Sequence, residues 1–153
     1  MNQLSTPPFT KEDPWRIFRI MAEFVDSFET LSKVGPAVTI FGSARLAPSN
    51  PHYQMAVTLG KILAKENLPV ITGGGPGIME AATRGAHDVG APSVALNIAL
   101  PHEQSANPYV SPHLSFKFHY FALRKMHFMM RAKALVAFPG GFGTLDELFE
   151  VIT

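Results

Sequence analysis

One stretch constrains this chain more than any other: an apolar run that enters a glycine turn and continues as a helical pattern. The run covers residues 134–138, the turn 139–143, and the apolar helical pattern starts at Leu145. A strand, a glycine turn and a helix in this order place backbone N–H groups at a helix N-terminus, where anions bind. The stretch lacks the Gly-Lys-Ser/Thr ending of a P-loop and the glycine spacing of a dinucleotide fingerprint. It therefore predicts an anion site of another kind.

Thr144 and Glu147 have two interpretations at this point. Thr-x-x-Glu is the spacing of a capping box, in which the glutamate only bonds back to the helix start. Alternatively, Glu147 stabilises developing positive charge or activates water as a general base. Acidic residues in a first helical turn also suit the helix dipole without any further role. The spacing alone leaves these alternatives open.

Strand-like and helical patterns alternate along the rest of the chain. A helix starts at Asp13-Pro14, and further helical patterns cover residues 51–66, 78–88 and 121–132. The predicted strands that alternate with these helices are short apolar runs at residues 37–41, 68–71, 93–98 and 115–119. Such alternation predicts right-handed crossovers and a parallel sheet. We expect an α/β fold, a Rossmann-like doubly wound parallel sheet in three αβα layers, with an N-terminal helix.

Three of the predicted strands run into loops that contain glycine. Gly42-Ser43 follows the first, residues 73–77 follow the second, and residues 139–143 follow the last. Ligands of open α/β sheets bind outside the carboxyl ends of the strands, so these loops are expected to converge on one pocket. Residues 100–114 form a long irregular connection, which is either a lid or binding loop or an ordinary surface loop.

Composition excludes several classes of protein. Apolar residues make up 46% of the 153 residues and charged residues 16%, which is typical of one globular domain. We place that domain at residues 13–153, after a flexible N-terminus at 1–12. A net charge of +1 without a Lys/Arg run argues against a nucleic-acid or membrane-surface partner. The absence of cysteine and of a signal or membrane segment predicts a cytoplasmic protein.

Among the titratable residues, Arg124 and Glu147 are the candidates for chemistry. Arg124 could bind a phosphate or carboxylate bidentately, although a lone arginine on a helix is usually a solvated charge. Its neighbours Phe121 and Phe128 favour the edge of a site. The six histidines show no His-Glu-x-x-His arrangement, so no metal site is expected.

Together these motifs resemble those of the LONELY GUY family, over roughly residues 35–153. Residues 139–147 match its Pro-Gly-Gly-x-Gly-Thr-x-x-Glu motif, residues 73–79 its second glycine motif, and Arg124-Lys125 its Arg-Lys pair. Members are cytokinin-activating nucleoside 5′-monophosphate phosphoribohydrolases, and many relatives are labelled "possible lysine decarboxylase". No pyridoxal-phosphate lysine motif supports a decarboxylase here. Residues 96–109 look like the longer bacterial branch of the family.

The resemblance implies hydrolysis of a nucleoside 5′-monophosphate to free base and ribose 5-phosphate by a cytoplasmic homodimer that needs no metal or organic cofactor. It assigns catalysis to Arg124 and Glu147. It assigns substrate or phosphate binding to Gly42, Ser43, Gly73, Gly74, Gly75, Gly77, Met79, Lys125, Pro139, Gly140, Gly141, Gly143 and Thr144. It also implies that the C-terminal strand and helices of the family fold are missing from this chain.

One local departure from the family pattern concerns base recognition. Phe121-Ala122 stands where the family usually has Met-His, and His119-Tyr120-Phe121 looks like the bacterial variant. The preferred base is therefore expected to differ from that of the plant enzymes.

Two alternatives to the enzyme remain. Some relatives look like molybdenum-cofactor carriers, whose ligand also bears a phosphate, so the chain could be a non-catalytic carrier. It could also be a truncated gene product without function.

Overall fold

The computed structural model of the chain describes residues 13–99 and 107–153. The predicted flexible segment 1–12 and residues 100–106 of the predicted lid lie outside this part. The helices are α1 (Asp13–Leu31), α2 (Pro51–Lys65), α3 (Ile78–His87), α4 (Phe121–Met130) and α5 (Phe142–Ile152). The strands are β1 (Ala37–Phe41), β2 (Val70–Thr72), β3 (Ser93–Ile98), β4 (Ser115–Phe118) and β5 (Ala132–Ala137). One turn of 3-10 helix, Pro112–Leu114, precedes β4.

The described strands form one parallel sheet in the order β4-β3-β2-β1-β5. Val38 of β1 pairs with Val70 on one side and with Ala134 on the other. The chain adds β2, β3 and β4 in one direction and then returns to add β5 beside β1. The strand order therefore reverses between β1 and β5, which is the switch point where open α/β sheets bind ligands. The predicted Rossmann-like fold is confirmed.

Alternate residues of β1 point to opposite faces of the sheet, and each face carries its own core. Val38 and Ile40 pack with α2 and α3, while Ala37 and Phe41 belong to a second cluster with Leu31 of α1 and Phe128 of α4. This alternation is the period-two geometry of a strand that is buried on both sides. The result is the expected three-layer αβα arrangement.

Helices α2 and α3 approach through glycine rather than through large side chains. A Cβ atom at Gly60 would collide with the carbonyl oxygen of Ala82, and one at Gly85 with that of Val57. Hydrophobicity predicts that Met55, Leu59, Ile62 and Leu63 face inward. Leu59 and Leu63 do pack against the core, but Met55 and Ile62 are more than half exposed. The prediction is wrong for these two because the close backbone approach turns small residues of α2 toward α3.

Helix α1 is attached to the sheet through α4. The carboxylate of Glu23 accepts hydrogen bonds from the backbone N–H groups of His119 (3.0 Å) and Tyr120 (3.4 Å), just before α4 begins. Further along, the Ser27 hydroxyl lies 2.7 Å from Nε2 of the buried His127. A carboxylate at a helix N-terminus is favourable, and α4 has no side-chain cap of its own. These contacts hold α4, which carries Arg124, against α1.

Two predicted helix boundaries, one before β5 and one after it, are wrong. Helix α5 begins at Phe142 rather than Leu145, and Ala132 is the first residue of β5 rather than part of α4. In the described part of the chain, none of the helices has the length and apolar character needed to cross a bilayer.

Candidate active site

The loop after β1 connects the two glycine turns. The N–H of Ser43 donates to the carbonyl of Pro139 (3.2 Å), and the carbonyl of Ser43 accepts from the N–H of Ile78 at the start of α3 (3.0 Å). Gly42 lies against the same isoleucine, since a Cβ atom there would come within 2.7 Å of the Ile78 side chain. The three strand-end loops that the sequence singles out therefore meet at the carboxyl edge of the sheet.

Residues 139–143, which include the start of α5, form the first glycine turn. Gly141 precedes the helix in an extended conformation, and no side chain caps the helix start. Thr144 lies inside the first helical turn, where its hydroxyl contacts Gly140 so closely that a Cβ atom would not fit. The capping-box alternative is wrong, because Thr144 is not the residue that precedes the helix. The N–H groups at this helix start, which no described side chain caps, can therefore donate hydrogen bonds to an anion.

The second glycine turn depends on backbone conformations that glycine adopts readily. Gly74 has φ of 76° and Gly77 φ of 68°, both in the left-handed region. A Cβ atom at Gly77 would collide with the carbonyl oxygen of Ser43. A Cβ atom at Gly73 would lie 2.6 Å from a guanidinium nitrogen of Arg124 and 3.0 Å from the sulfur of Met79. The turn therefore brings the backbone against both side chains.

Arg124 links this second turn to Glu147. Its Nη1 lies 4.0 Å from Oε1 of Glu147, and its Nε donates to the carbonyl of Leu96 at 2.7 Å. Its guanidinium lies 5.0 Å from the centre of the Phe128 ring. The side chains of Arg124 and Glu147 are only 15% and 12% exposed. The alternative of a solvated helix-face charge is therefore wrong for Arg124.

Burial changes the pKa of both members of this pair. Loss of hydration lowers the pKa of Arg124, and the negative charge of Glu147 partly opposes this decrease. Loss of hydration also raises the pKa of the Glu147 carboxyl, while Arg124 and Lys125 oppose that rise. A carboxyl group with a raised pKa, next to a fixed cation, is suited to taking a proton from water.

Lys125 faces two carboxylates of α5. Its Nζ lies 2.8 Å from Oδ2 of Asp146 and 2.7 Å from Oε2 of Glu150. These contacts raise the pKa of the Lys125 ammonium well above its usual range. The predicted substrate contact of Lys125 stays a prediction, and the geometry favours a second role in holding α5 against α4.

Other predicted site residues differ in how closely they are packed. Cβ atoms at Gly141 and Gly143 would meet no described atom within 4 Å, and the adjacent Phe142 is 92% exposed. Sequence reasoning missed Leu96, whose contribution is a backbone carbonyl, and Asn97, whose side chain contacts Gly74. Their only signal in the sequence is the position at the end of a strand. No cluster of metal-ligating side chains occurs among residues 13–99 and 107–153.

A family model described as possible lysine decarboxylase matches residues 79–153. A cytokinin riboside 5′-monophosphate phosphoribohydrolase of Arabidopsis thaliana is 31% identical over 125 residues, covering 80% of this chain and 56% of that protein. The chain belongs to the LONELY GUY family. It spans about half the length of the curated relatives it matches.

Solved structures give the same fold for the family. An X-ray structure of a structural-genomics target is 28% identical, with a TM-score of 0.61 over 74% of this chain and 66% of that one. The molybdenum cofactor carrier protein from Chlamydomonas reinhardtii is 25% identical, with a TM-score of 0.62 over 77% of this chain and 71% of that one. The structural-genomics target and the cofactor carrier therefore share this architecture with the present chain.

Proposed function

We propose that this protein hydrolyses the N-glycosidic bond of a purine nucleoside 5′-monophosphate, giving free base and ribose 5-phosphate. The observation that carries the proposal is the largely shielded pair of Arg124 and Glu147 beside two glycine turns at the switch point of the sheet. Relatives named as cytokinin riboside 5′-monophosphate phosphoribohydrolases support the same reaction class.

The phosphate is assigned to the two glycine turns. The start of α5 offers N–H groups with no side-chain cap, and the helix dipole favours an anion there. The second turn starts α3 in the same way, with Gly77 as the residue before the helix and no side-chain cap. The hydrogen bond from Ser43 to Pro139 and the one from Ile78 to Ser43 fix the two turns relative to each other.

Glu147 is assigned to the ribose and the attacking water. Cleavage of the bond between C1′ and the base nitrogen passes through an oxocarbenium-like state, which a carboxylate stabilises. The bond between C1′ and the base breaks with its electron pair on the ring nitrogen, which takes up a proton from solvent. Water forms the new bond to C1′ and gives a proton to the carboxylate, which then returns that proton to solvent. The raised pKa of Glu147 makes it a stronger base than an ordinary glutamate.

Arg124 is assigned to phosphate or base positioning. The hydrogen bond to Leu96 and the Phe128 ring fix the guanidinium, so it does not need to be ordered when a ligand binds. Its contact with Gly73 places it between Glu147 and the second turn. A fixed cation at this point can pair with phosphate oxygen or with negative charge on the leaving base.

The decisive experiment measures base release from AMP and from N6-isopentenyl-AMP. Glu147→Gln keeps the shape of the side chain but removes the base, so we expect release to fall by about 10²-fold or more while nucleotide binding is retained. Glu66→Gln, after the end of α2, is the matched control and should behave as wild type. Wild-type turnover by Glu147→Gln would contradict the proposal.

The same experiment addresses the preferred base and a place in cytokinin biosynthesis. An apolar pocket separates substrates that differ by an apolar group by only ~1–3 kcal/mol, so the ratio of the two rates is the direct measure. A higher rate with N6-isopentenyl-AMP would support cytokinin activation, and a higher rate with AMP would support general nucleotide cleavage.

A carrier role is the second candidate. The observation that favours it is the fold shared with the molybdenum cofactor carrier protein, at a TM-score of 0.62. A carrier would retain a pterin phosphate through purification and release no base from either nucleotide. The carrier candidate predicts that Glu147→Gln leaves this retention unchanged, because no proton transfer is needed.

A further inference from the structure

Asn107 lies beneath the second glycine turn and holds two of its carbonyl groups. The backbone N–H of Asn107 donates to the carbonyl of Gly74 at 2.9 Å. Its side-chain Nδ2 donates to the carbonyls of Gly74 (3.3 Å) and Gly75 (3.2 Å). Asn107 is 30 or more residues away from this turn in the sequence and follows the segment 100–106. Three hydrogen bonds therefore connect one residue to two consecutive peptide units.

The side-chain oxygen of Asn107 also has hydrogen-bond partners. Its Oδ1 accepts from the Thr83 hydroxyl (3.0 Å) and from the backbone N–H of Tyr109 (3.2 Å). Carbonyl groups only accept and a backbone N–H only donates, so the orientation of the amide is fixed by its partners. Asn107 is 9% exposed and Thr83 fully buried. Such a satisfied buried polar group is a rigid connection.

This arrangement determines what the glycine turn presents on its other side. In a planar trans peptide the N–H points away from the carbonyl. Because Asn107 holds the Gly74 carbonyl, the N–H of Gly75 is directed away from Asn107. That N–H has no hydrogen-bond acceptor among residues 13–99 and 107–153. The next peptide ends in Pro76 and has no N–H, so its carbonyl is the only polar group it could turn toward a ligand.

These hydrogen bonds from Asn107 are needed because the turn contains consecutive glycines. Peptide units that join two glycines rotate easily, because glycine populates both signs of φ. A rotated unit between Gly74 and Gly75 would present a carbonyl oxygen where an N–H is needed, and a carbonyl repels an anion. We propose that Asn107 is a positioning residue of the nucleotide site, which fixes the carbonyls of Gly74 and Gly75 away from the ligand so that the turn presents N–H to the phosphate. This inference rests on the proposed function for the identity of the ligand.

The test compares the affinity for AMP with the affinity for adenosine by calorimetry, in the Glu147→Gln background so that the ligands are not consumed. Asn107→Asp keeps the shape and both acceptor contacts of Oδ1 but removes the side-chain donor to the carbonyls of Gly74 and Gly75, while the backbone N–H of residue 107 still donates to Gly74. We expect the affinity for AMP to fall about 10-fold or more while that for adenosine changes little. Asn107→Ala adds no charge and should also lower the affinity for AMP relative to adenosine, which separates loss of the side-chain donor from repulsion between the new carboxylate and the phosphate.

Thr83→Val is the matched control, since it removes a partner of Asn107 but leaves the donors to Gly74 and Gly75 in place. It should lower the melting temperature without changing the ratio of AMP to adenosine affinity. A folded Asn107→Asp protein that keeps the wild-type ratio would overturn this inference alone. If the background protein itself does not prefer AMP over adenosine, the proposed function fails, and the phosphate role of the turn fails with it.

Discussion

At Glu147, burial and neighbouring charge act on the carboxyl pKa in opposite directions. Loss of hydration is the larger effect and raises the pKa, while the cations of Arg124 and Lys125 lower it. The balance leaves a carboxyl group that binds its proton more tightly than an ordinary glutamate.

This balance predicts the pH dependence of activity. A raised pKa means that the carboxylate becomes protonated at a higher pH than an exposed glutamate, whose pKa is about 4.3. If Glu147 acts as the base, kcat/KM for AMP should fall with decreasing pH, with the midpoint of the fall above that ordinary value. The residual activity of Glu147→Gln should lack this acidic limb. A midpoint at or below the value of an exposed glutamate would contradict the assignment.

The predictability of single residues depends on whether their partners are local. Gly73 to Gly77 and Gly140 to Gly143 are identified as turns from sequence because turn chemistry is decided within a few residues. The role of Thr144 cannot be identified from the sequence, because a capping box and an interior helical position differ only in where the helix begins. Asn107 is likewise inaccessible to local reasoning, since its partners Gly74, Gly75 and Thr83 are distant in the chain.

At the scale of elements, the sequence predicts the five strands and five α-helices of the described residues near their observed positions, but it does not always predict the face that a helix buries. Periodicity favours the large side chains Met55, Leu59, Ile62 and Leu63 as the inner face of α2. The residues that the structure buries on α2 are Tyr53, Ala56, Val57 and Gly60, and Gly60 with Gly85 allows backbone contact between α2 and α3. Hydrophobicity predicts which side chains are stabilised by burial. Close packing of two helices also requires residues without large side chains, such as Gly60 and Gly85, where the backbones meet.

The contact between α4 and α5 depends on one cation and two anions. Lys125 joins Asp146 and Glu150, which are four residues apart and so lie on the same side of α5. Glu147 follows Asp146 directly, so the rotation of α5 about its axis determines where its carboxylate points. We infer that Lys125 acts on the reaction through the position of Glu147.

Two variants separate this role from a direct contact with substrate. Lys125→Met removes the cation, and the double variant Asp146→Asn with Glu150→Gln removes both anions while leaving Lys125 in place. If Lys125 positions α5, both should lower kcat for AMP by a similar factor, about 10-fold, with a smaller change in KM. Lys133→Met on β5 is the control and should be neutral. A large loss in Lys125→Met but not in the double variant would instead indicate a direct substrate contact.

For the whole molecule, exposed apolar side chains lie on α1 and also on α5, the helix that carries Glu147, where Phe142 is 92% and Phe149 55% exposed. The site is built at the carboxyl edge of the sheet, whereas α1 exposes Trp15 (65%), Phe18 (61%) and Val25 (60%). These three positions lie along one side of the helix, at the spacing of successive turns. A large contiguous apolar patch on the surface of a folded protein usually marks an interaction site.

We therefore expect the chain to form a homodimer through α1. Phe18→Glu places a charge in the centre of this surface and should shift the protein toward monomer by light scattering coupled to gel filtration, because a buried unpaired charge opposes association. Arg16→Glu is the matched control: it adds the same side chain on the opposite side of the exposed part of α1 and should leave the dimer intact. A wild-type protein that remains monomeric as its concentration is raised would contradict the expectation. Equal weakening by both variants would indicate a general effect of charge rather than a contact through Phe18.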